Sequence, residues 1–205
     1  MLDKQKNNDV TIKYYNDNAY QFFNNTVDVS FTKVQEDFLK YLPDKAYILD
    51  FGCGSGRDSK AFIEKGYKVD AIDGSEEMCR LAEKLLNQKV LCISFQDFVA
   101  DKTYDGIWAC ASILHLDIDN IKKVLIKLRE ALRPNGYLYT SFKLGDFNGF
   151  RNGRYFTYMT KDRVDELIKS VGGFDIVEMK VSSDARPERE DEQWINIILR
   201  KTTIK

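Results

Sequence analysis

A single histidine and the absence of any C-x-x-C cysteine pair stand out in this 205-residue chain, and each scarcity removes a class of chemistry. With His115 as the only histidine, zinc sites needing two or more are excluded, as is a relay built on a pair, and no metal is expected. Cys53, Cys79, Cys92 and Cys110 form no C-x-x-C pair and sit in apolar or helical contexts, where free thiols are commonly buried. No apolar run approaches the roughly 18 residues of a membrane-spanning helix. Met1 to Val10 is polar and charged, with no secretory apolar segment. The expectation is a reduced, soluble cytoplasmic protein with no membrane partner. Charge of one sign is lacking too: 31 Lys and Arg face 32 Asp and Glu, for a net charge of −1. That balance argues against a dedicated nucleic-acid binder, whose phosphate contacts need a basic surface.

What is present is 43% hydrophobic residues in a pattern that alternates strands with helices. The length suggests a single domain over residues 1–205, an N-terminal helical cap (1–42) on an α/β core (43–205). Helices are predicted over 11–24, 31–42, 57–65, 75–87, 119–132 and 160–171. Strands are predicted over 46–51, 67–72, 90–93, 106–113, 137–142, 174–181 and 194–200. Arg133-Pro134-Asn135-Gly136 reads as a turn, 151–156 as a basic-aromatic loop and 182–192 as a long polar loop. Strands alternating with helices of this length make a mostly parallel sheet. The last two strands lack a helical crossover and suit an antiparallel pair. The fold class is therefore α/β: a Rossmann-like doubly wound sheet of seven strands, the last one antiparallel. Ligands of such sheets bind beyond the carboxyl ends of the strands.

At the first of those ends, Ile48-Leu49-Asp50-Phe51 runs into Gly52-Cys53-Gly54-Ser55-Gly56 and then a helix. Glycines there allow positive φ and close backbone approach to a ligand. A dinucleotide loop needs a small residue where this chain has Arg57, and Asp50 would oppose a pyrophosphate but suits a cationic ligand. Asp73 lies 21 residues after Gly52, near the spacing of a ribose-binding carboxylate. Asp97, between Phe95 and Phe98, suits an adenine amino group with a ring packed on the base.

Five ordered blocks carry a family resemblance: Ile48 to Gly56, Asp73-Gly74-Ser75-Glu76-Glu77-Met78, Gln96-Asp97-Phe98, Tyr104-Asp105-Gly106-Ile107-Trp108 and Leu132-Arg133-Pro134-Asn135-Gly136-Tyr137-Leu138. The chain resembles the class I S-adenosylmethionine-dependent methyltransferases over roughly residues 14–201. Its Gly56-Arg57-Asp58 is similar to the tellurite-resistance-like and ubiquinone-biosynthesis-like branches. The resemblance implies S-adenosylmethionine as cofactor, with Asp73 on the ribose, Asp97 on the adenine, and Asp50, Gly52, Gly54 and Gly56 along the methionine portion. Arg57 is expected near the cofactor carboxylate. Tyr15, Gly74, Ser75, Met78, Gln96, Phe98 and Cys110 complete the expected cofactor set.

Other conspicuous residues have two readings each. Tyr14 and Tyr15 either pack the first helix on the domain or close over the cofactor. His115 follows the fourth strand, at the lip where an acceptor would approach; it is the candidate base or orienting group, with Tyr155 behind it. Arg151 and Arg154 are either solvated or hold an anionic acceptor group. Asp184, Arg186 and Arg189 form either an exposed tip or part of the same mouth. The expected function is methyl transfer to a small-molecule acceptor. The alternatives are an RNA or protein acceptor and a non-catalytic cofactor-binding module; an NAD-dependent oxidoreductase is disfavoured by Arg57 and Asp50.

Overall fold

A computed structural model describes residues 2–101, 103–186, 189 and 191–202, with side chains from residue 9 onward. Helices α1 (Leu2–Asp17), α2 (Ala19–Thr26) and α3 (Thr32–Leu39) precede the first strand. Then come β1 (Tyr47–Phe51), α4 (Arg57–Glu64), β2 (Lys68–Asp73), α5 (Glu76–Leu86), β3 (Leu91–Cys92) and β4 (Tyr104–Ala109). A 3₁₀ turn at Ile113–His115 leads to α6 (Ile118–Ala131), β5 (Leu132–Lys143), β6 (Asn148–Arg151) and β7 (Arg154–Thr157). The last elements are α7 (Lys161–Val171), β8 (Phe174–Ser183) and β9 (Gln193–Lys201). No described helix is long and apolar enough to cross a membrane.

Seven strands form one sheet in the order β3-β2-β1-β4-β5-β9-β8, and β9, the last in sequence, runs antiparallel to both neighbours. This is the expected architecture. Its period-2 alternation sorts the core onto two faces. Leu49, Ile107, Leu138 and Ile197 point to the face covered by α6 and α7, with Leu125, Leu128 and Ile168 among the helical partners. Their neighbours Ile48, Trp108, Tyr139 and Ile198 point the other way, onto Phe38 of α3 and Phe62 of α4. Trp108 is fully buried and stacks on Tyr139 with ring centroids 4.0 Å apart. Truncating a packed side chain of this size costs about 3–5 kcal/mol.

Four local expectations differ from the structure. The predicted 11–24 helix is two helices, because the chain leaves helical geometry at Asn18 (ψ +16°) before restarting at Ala19. β4 ends at Ala109 rather than Ile113: Ala111 takes φ +49°, with its N–H on Ser141 Oγ, and this turns the chain out of the sheet. The Arg133–Gly136 turn is present, but as a bulge: Tyr104 pairs with Leu132 while Gly106 pairs with Tyr137. The basic-aromatic loop is the β6–β7 hairpin, whose register places Arg151 opposite Arg154 across Asn152 and Gly153. Gly153 has φ +77°, and a Cβ there would lie 2.8 Å from Tyr14, so glycine lets the hairpin tip reach α1. In the polar segment after β8, Pro187, Glu188 and Glu190 lie outside the described residues.

Candidate active site

The carboxyl ends of β1, β2, β4 and β5 converge under α1, with the β6–β7 hairpin and the β8–β9 connection alongside, around a cavity of about 430 Å³. The glycine loop forms its floor. Gly52 and Cys53 both donate to the carbonyl of Ile72 at 2.9 Å, fastening the loop to β2. Gly52 has φ +88°, and a Cβ on it would run into Ser112 and Phe95. No other residue fits this backbone at this approach.

Asp73, at the end of β2, organises the next layer. One carboxylate oxygen accepts from Gly54 N at 2.9 Å and the other from Ser75 N at 2.9 Å. Burial pushes its pKa up, while the N–H groups of Ser75, Gly54 and Gly74 oppose that shift. Ser75 caps α5 through Met78 N and donates to Asn16 of α1 at 2.6 Å, so the helix above and the loop below share one anchor. Gly74 sits tight against Ile12 of α1, where a Cβ would meet the Ile12 side chain at 3.2 Å. Gly52, Gly54, Asp73, Gly74, Ser75 and Met78 all line the cavity.

Arg57 lines the cavity too, gripped in place from behind. Its guanidinium makes two bonds of 2.9 Å to Asp58 and lies over the Phe31 ring at 4.5 Å. Asp58 in turn accepts from Gln35 at 2.7 Å and from the Trp108 indole at 2.9 Å. Arg57 is thereby oriented by the core.

His115 stands where β4 has just left the sheet, next to Cys110 and Ser112 on the cavity wall. Its Nδ1 lies 2.7 Å from the Tyr155 carbonyl oxygen, which only accepts, so Nδ1 carries the proton. Nε2 then accepts from Tyr15 Oη at 2.8 Å. Burial lowers the imidazole pKa to about 4; Arg154 and Lys143 push the same way, against the Tyr155 carbonyl. Burial also raises the Tyr15 phenol, which Arg154 partly opposes. Near neutral pH this pair is an uncharged imidazole bonded to an un-ionised phenol.

Seven expected site residues do not line the cavity. Asp50 is buried beneath the loop, accepting from Ser59 Oγ at 2.6 Å, and burial together with nearby Asp58 raises its pKa to about 8. A protonated Asp50 cannot serve as the counter-charge expected for a cationic ligand. Gly56 is the left-handed N-cap of α4, packed on Ala82 and Leu86. Asp97 is exposed and closes a turn with Ser94 Oγ at 2.7 Å; Phe98 is buried against Phe51. Gln96 holds its amide oxygen buried without a hydrogen-bond partner among the described residues. Strand alternation turns Arg154 and Phe156 to the cavity and Tyr155 away from it, onto Phe150 at 5.4 Å. Arg151, at the hairpin tip, is exposed over Phe147 at 5.1 Å.

Among the cavity residues outside the sequence-based set, Phe95, Lys143 and Trp194 matter most. Phe95 lines the wall and stacks on Phe51 at 4.6 Å, so the ring available to a base is Phe95 rather than Phe98. Lys143 and Trp194 enter from β5 and β9. Lys143 ends a strand, and the rule that sheet ligands sit beyond carboxyl ends was signal enough to find it. Trp194 lies on the reversed strand, whose amino end reaches the same rim, and nothing local in the sequence marks it. Arg186 and Asp184 also reach the cavity, paired at 2.7 Å.

Residues 48–136 match the family described as "Methyltransferase domain". YqeM of Bacillus subtilis, a methyltransferase by name, is 31% identical over 116 residues, which is 51% of this chain and 47% of that protein. The N-terminal Xaa-Pro-Lys N-methyltransferase 1 of Rattus norvegicus is 31% identical over 117 residues, 52% of each chain. The chain thus spans about half the length of the curated relatives it matches. Among solved structures, Burkholderia thailandensis 1,6-didemethyltoxoflavin-N1-methyltransferase, with 1,6-didemethyltoxoflavin and S-adenosylhomocysteine bound, superposes with a TM-score of 0.80 at 21% identity. That likeness covers 98% of this chain and 91% of the other.

Proposed function

We propose that this protein, a methyltransferase-domain chain on the class I S-adenosylmethionine-dependent methyltransferase fold, is an enzyme that transfers the methyl group of S-adenosylmethionine to a small-molecule acceptor. The observation that carries the reading is one cavity whose lining holds two chemically distinct groups, which we assign to two ends: Asp73, the glycine loop and Phe95 at one, and His115, Arg154 and Lys143 at the other.

The first end fits the cofactor on grounds of geometry. Asp73 uses one lone pair of each oxygen on the loop, leaving the others for ribose hydroxyls. Phe95 offers a ring face for the adenine, and Arg57, held flat by Asp58 and Phe31, suits a carboxylate. When bound, S-adenosylmethionine supplies the electrophilic methyl group, so the protein's own contribution is orientation and exclusion of water. Tyr15 and Ile12 of α1 close over the loop, consistent with residues 1–42 acting as a cap. Ser112 and His115 also line the cavity, with His115 an orienting group rather than a base, since its lone pair is engaged by Tyr15. Residues of α1, of the β6–β7 hairpin and of the described part of the β8–β9 connection all line the cavity, which suits an acceptor small enough to lie among them.

The N-terminal Xaa-Pro-Lys N-methyltransferase relatives support a second reading, in which the acceptor is a protein N-terminus. A cationic acceptor of that kind needs carboxylates at the acceptor end. Asp184, the carboxylate assigned to that end among the described residues, is tied to Arg186 and to the Trp194 indole. Titration calorimetry decides the central claim: micromolar-range binding of S-adenosylmethionine and S-adenosylhomocysteine is expected, and no binding of either rejects it. Turnover of a Xaa-Pro-Lys peptide would move the assignment to the second reading.

A further inference from the structure

Arg154 differs from the other half-buried cations around this cavity. Arg57 is paired with Asp58, Arg186 with Asp184, and Lys143 with Glu192. Arg154 has no carboxylate within ion-pair distance among the described residues, although it is half-buried and faces the cavity. Its guanidinium lies over the rings of Tyr14 at 4.7 Å, Phe156 at 5.1 Å and Tyr15 at 5.7 Å. Among the described residues its one hydrogen bond to a side chain is a long one, 3.4 Å, from Nη1 to Tyr15 Oη. Its Nε is buried and makes none. That Nε has lost water without gaining an anion, an arrangement that a ligand held by the same guanidinium would offset. Rings orient the plane of the fork in the wall of the cavity that Arg154 lines.

We propose that Arg154 is the acceptor-binding residue and that the acceptor is a small planar anion, an aromatic acid or a deprotonated hetero-ring. This rests on the methyl-transfer reading above and adds the acceptor's charge to it. Phe156, Trp194 and the Tyr15–His115 pair supply apolar and edge contacts around such a ring. An anionic acceptor also explains why the site has an orienting imidazole and no free base. The acceptor's lone pair forms the bond to the methyl carbon while the carbon–sulfur bond breaks with its electron pair going to sulfur. The negative charge of one partner cancels the positive charge of the other, and no proton is left to remove.

The test uses the full chain saturated with S-adenosylhomocysteine and three probes of one shape: benzoate, benzamide and benzamidine, followed by ligand-observed NMR titration. Benzoate is expected to bind at least about 10-fold more tightly than neutral benzamide, the discrimination of a charge-assisted pair, and benzamidine not at all. Arg154→Gln should abolish that preference, Arg154→Lys should keep part of it, and neither should alter S-adenosylhomocysteine affinity. Equal binding of the three probes, binding of none, or a benzoate preference that survives Arg154→Gln overturns the assignment. So does a loss of S-adenosylhomocysteine affinity in Arg154→Gln, which would place the guanidinium on the cofactor instead. Failure of the wild-type chain to bind S-adenosylhomocysteine at all, read in the same titration before any probe is added, overturns the methyl-transfer reading itself.

Discussion

Tyr15 Oη donates to His115 Nε2 at 2.8 Å, joining the first helix to the turn after β4 across 100 positions of sequence. The contact consumes the only lone pair by which the imidazole could take a proton, since Nδ1–H is already committed to the Tyr155 carbonyl. Tyr15→Phe should therefore leave a buried acceptor without a partner and lower unfolding stability by about 1–3 kcal/mol in urea titrations. His115→Ala should reduce turnover while cofactor affinity stays nearly constant. Equal loss of both would make His115 a structural residue of the cap.

The same pair constrains the pH profile. Tyr15, Arg154 and Lys143 face the imidazole, and the last two reinforce the effect of burial that brings its pKa to about 4. The kcat/KM profile should accordingly lack an inflection near the ordinary histidine pKa of about 6.5. An inflection there that disappears in His115→Gln would restore the general-base role expected from sequence.

Asp73 joins the glycine loop to the head of α5, and its substitution tests the cofactor end. Asp73→Ala removes both the acceptors of Gly54 and Ser75 and the proposed ribose contact. S-adenosylhomocysteine affinity should fall by more than about 10-fold in calorimetry, the scale of one charge-assisted bond. Asp73→Asn keeps one acceptor oxygen and should lose less. Unchanged affinity in both variants would remove Asp73 from the site.

Much of this architecture was legible because it rests on period and punctuation. The paired apolar runs Ile48-Leu49 and Leu138-Tyr139 announce strands buried on both faces, and Ser75 before Glu76 and Glu77 announces a capped helix. Asp73 was found because a carboxylate at a strand end, 21 residues beyond Gly52, has few other uses. What misled was side-chain direction. Phe95 and Phe98 are equivalent by composition, and only the turn at Ser94–Asp97 decides which ring meets the cavity and which meets the core. Tyr155 and Arg154 likewise trade places with the pleat of β7, a strand that the sequence presents as a loop. Asp50 was assigned a charge that burial and Asp58 remove.

The reassignment from Asp97 and Phe98 to Phe95 has its own test. Loss of a ring stacked on a base costs about 1–3 kcal/mol. Phe95→Ala should therefore weaken S-adenosylhomocysteine by roughly 10-fold, on the same conversion. Asp97→Ala, a change at an exposed turn, should leave the affinity almost unaltered. The reverse pattern would return the adenine to Asp97 and require the turn after β3 to rearrange on binding.

Asp50 and His115 make opposite contributions to stability as pH changes. His115 has its folded pKa depressed to about 4, so the unfolded chain binds the extra proton and stability rises as pH climbs toward about 6.5. Asp50 has its folded pKa raised to about 8 from an ordinary 3.8, so the folded chain holds the extra proton and stability falls as pH rises through that window. Above about 6.5 the histidine contribution is complete and Asp50 remains the falling one of the two. From there to pH 8 it should remove at most about 2 kcal/mol, at 1.36 kcal/mol for each pH unit. Asp50→Asn mimics the protonated acid and preserves an acceptor for Ser59 Oγ. The variant should unfold at a higher urea concentration than the parent at pH 8, with the gap narrowing as pH is lowered to 6.5. A gap that widens toward acid would mean that Asp50 is ionised in the fold, and that the carboxylate behind the glycine loop is a counter-charge after all.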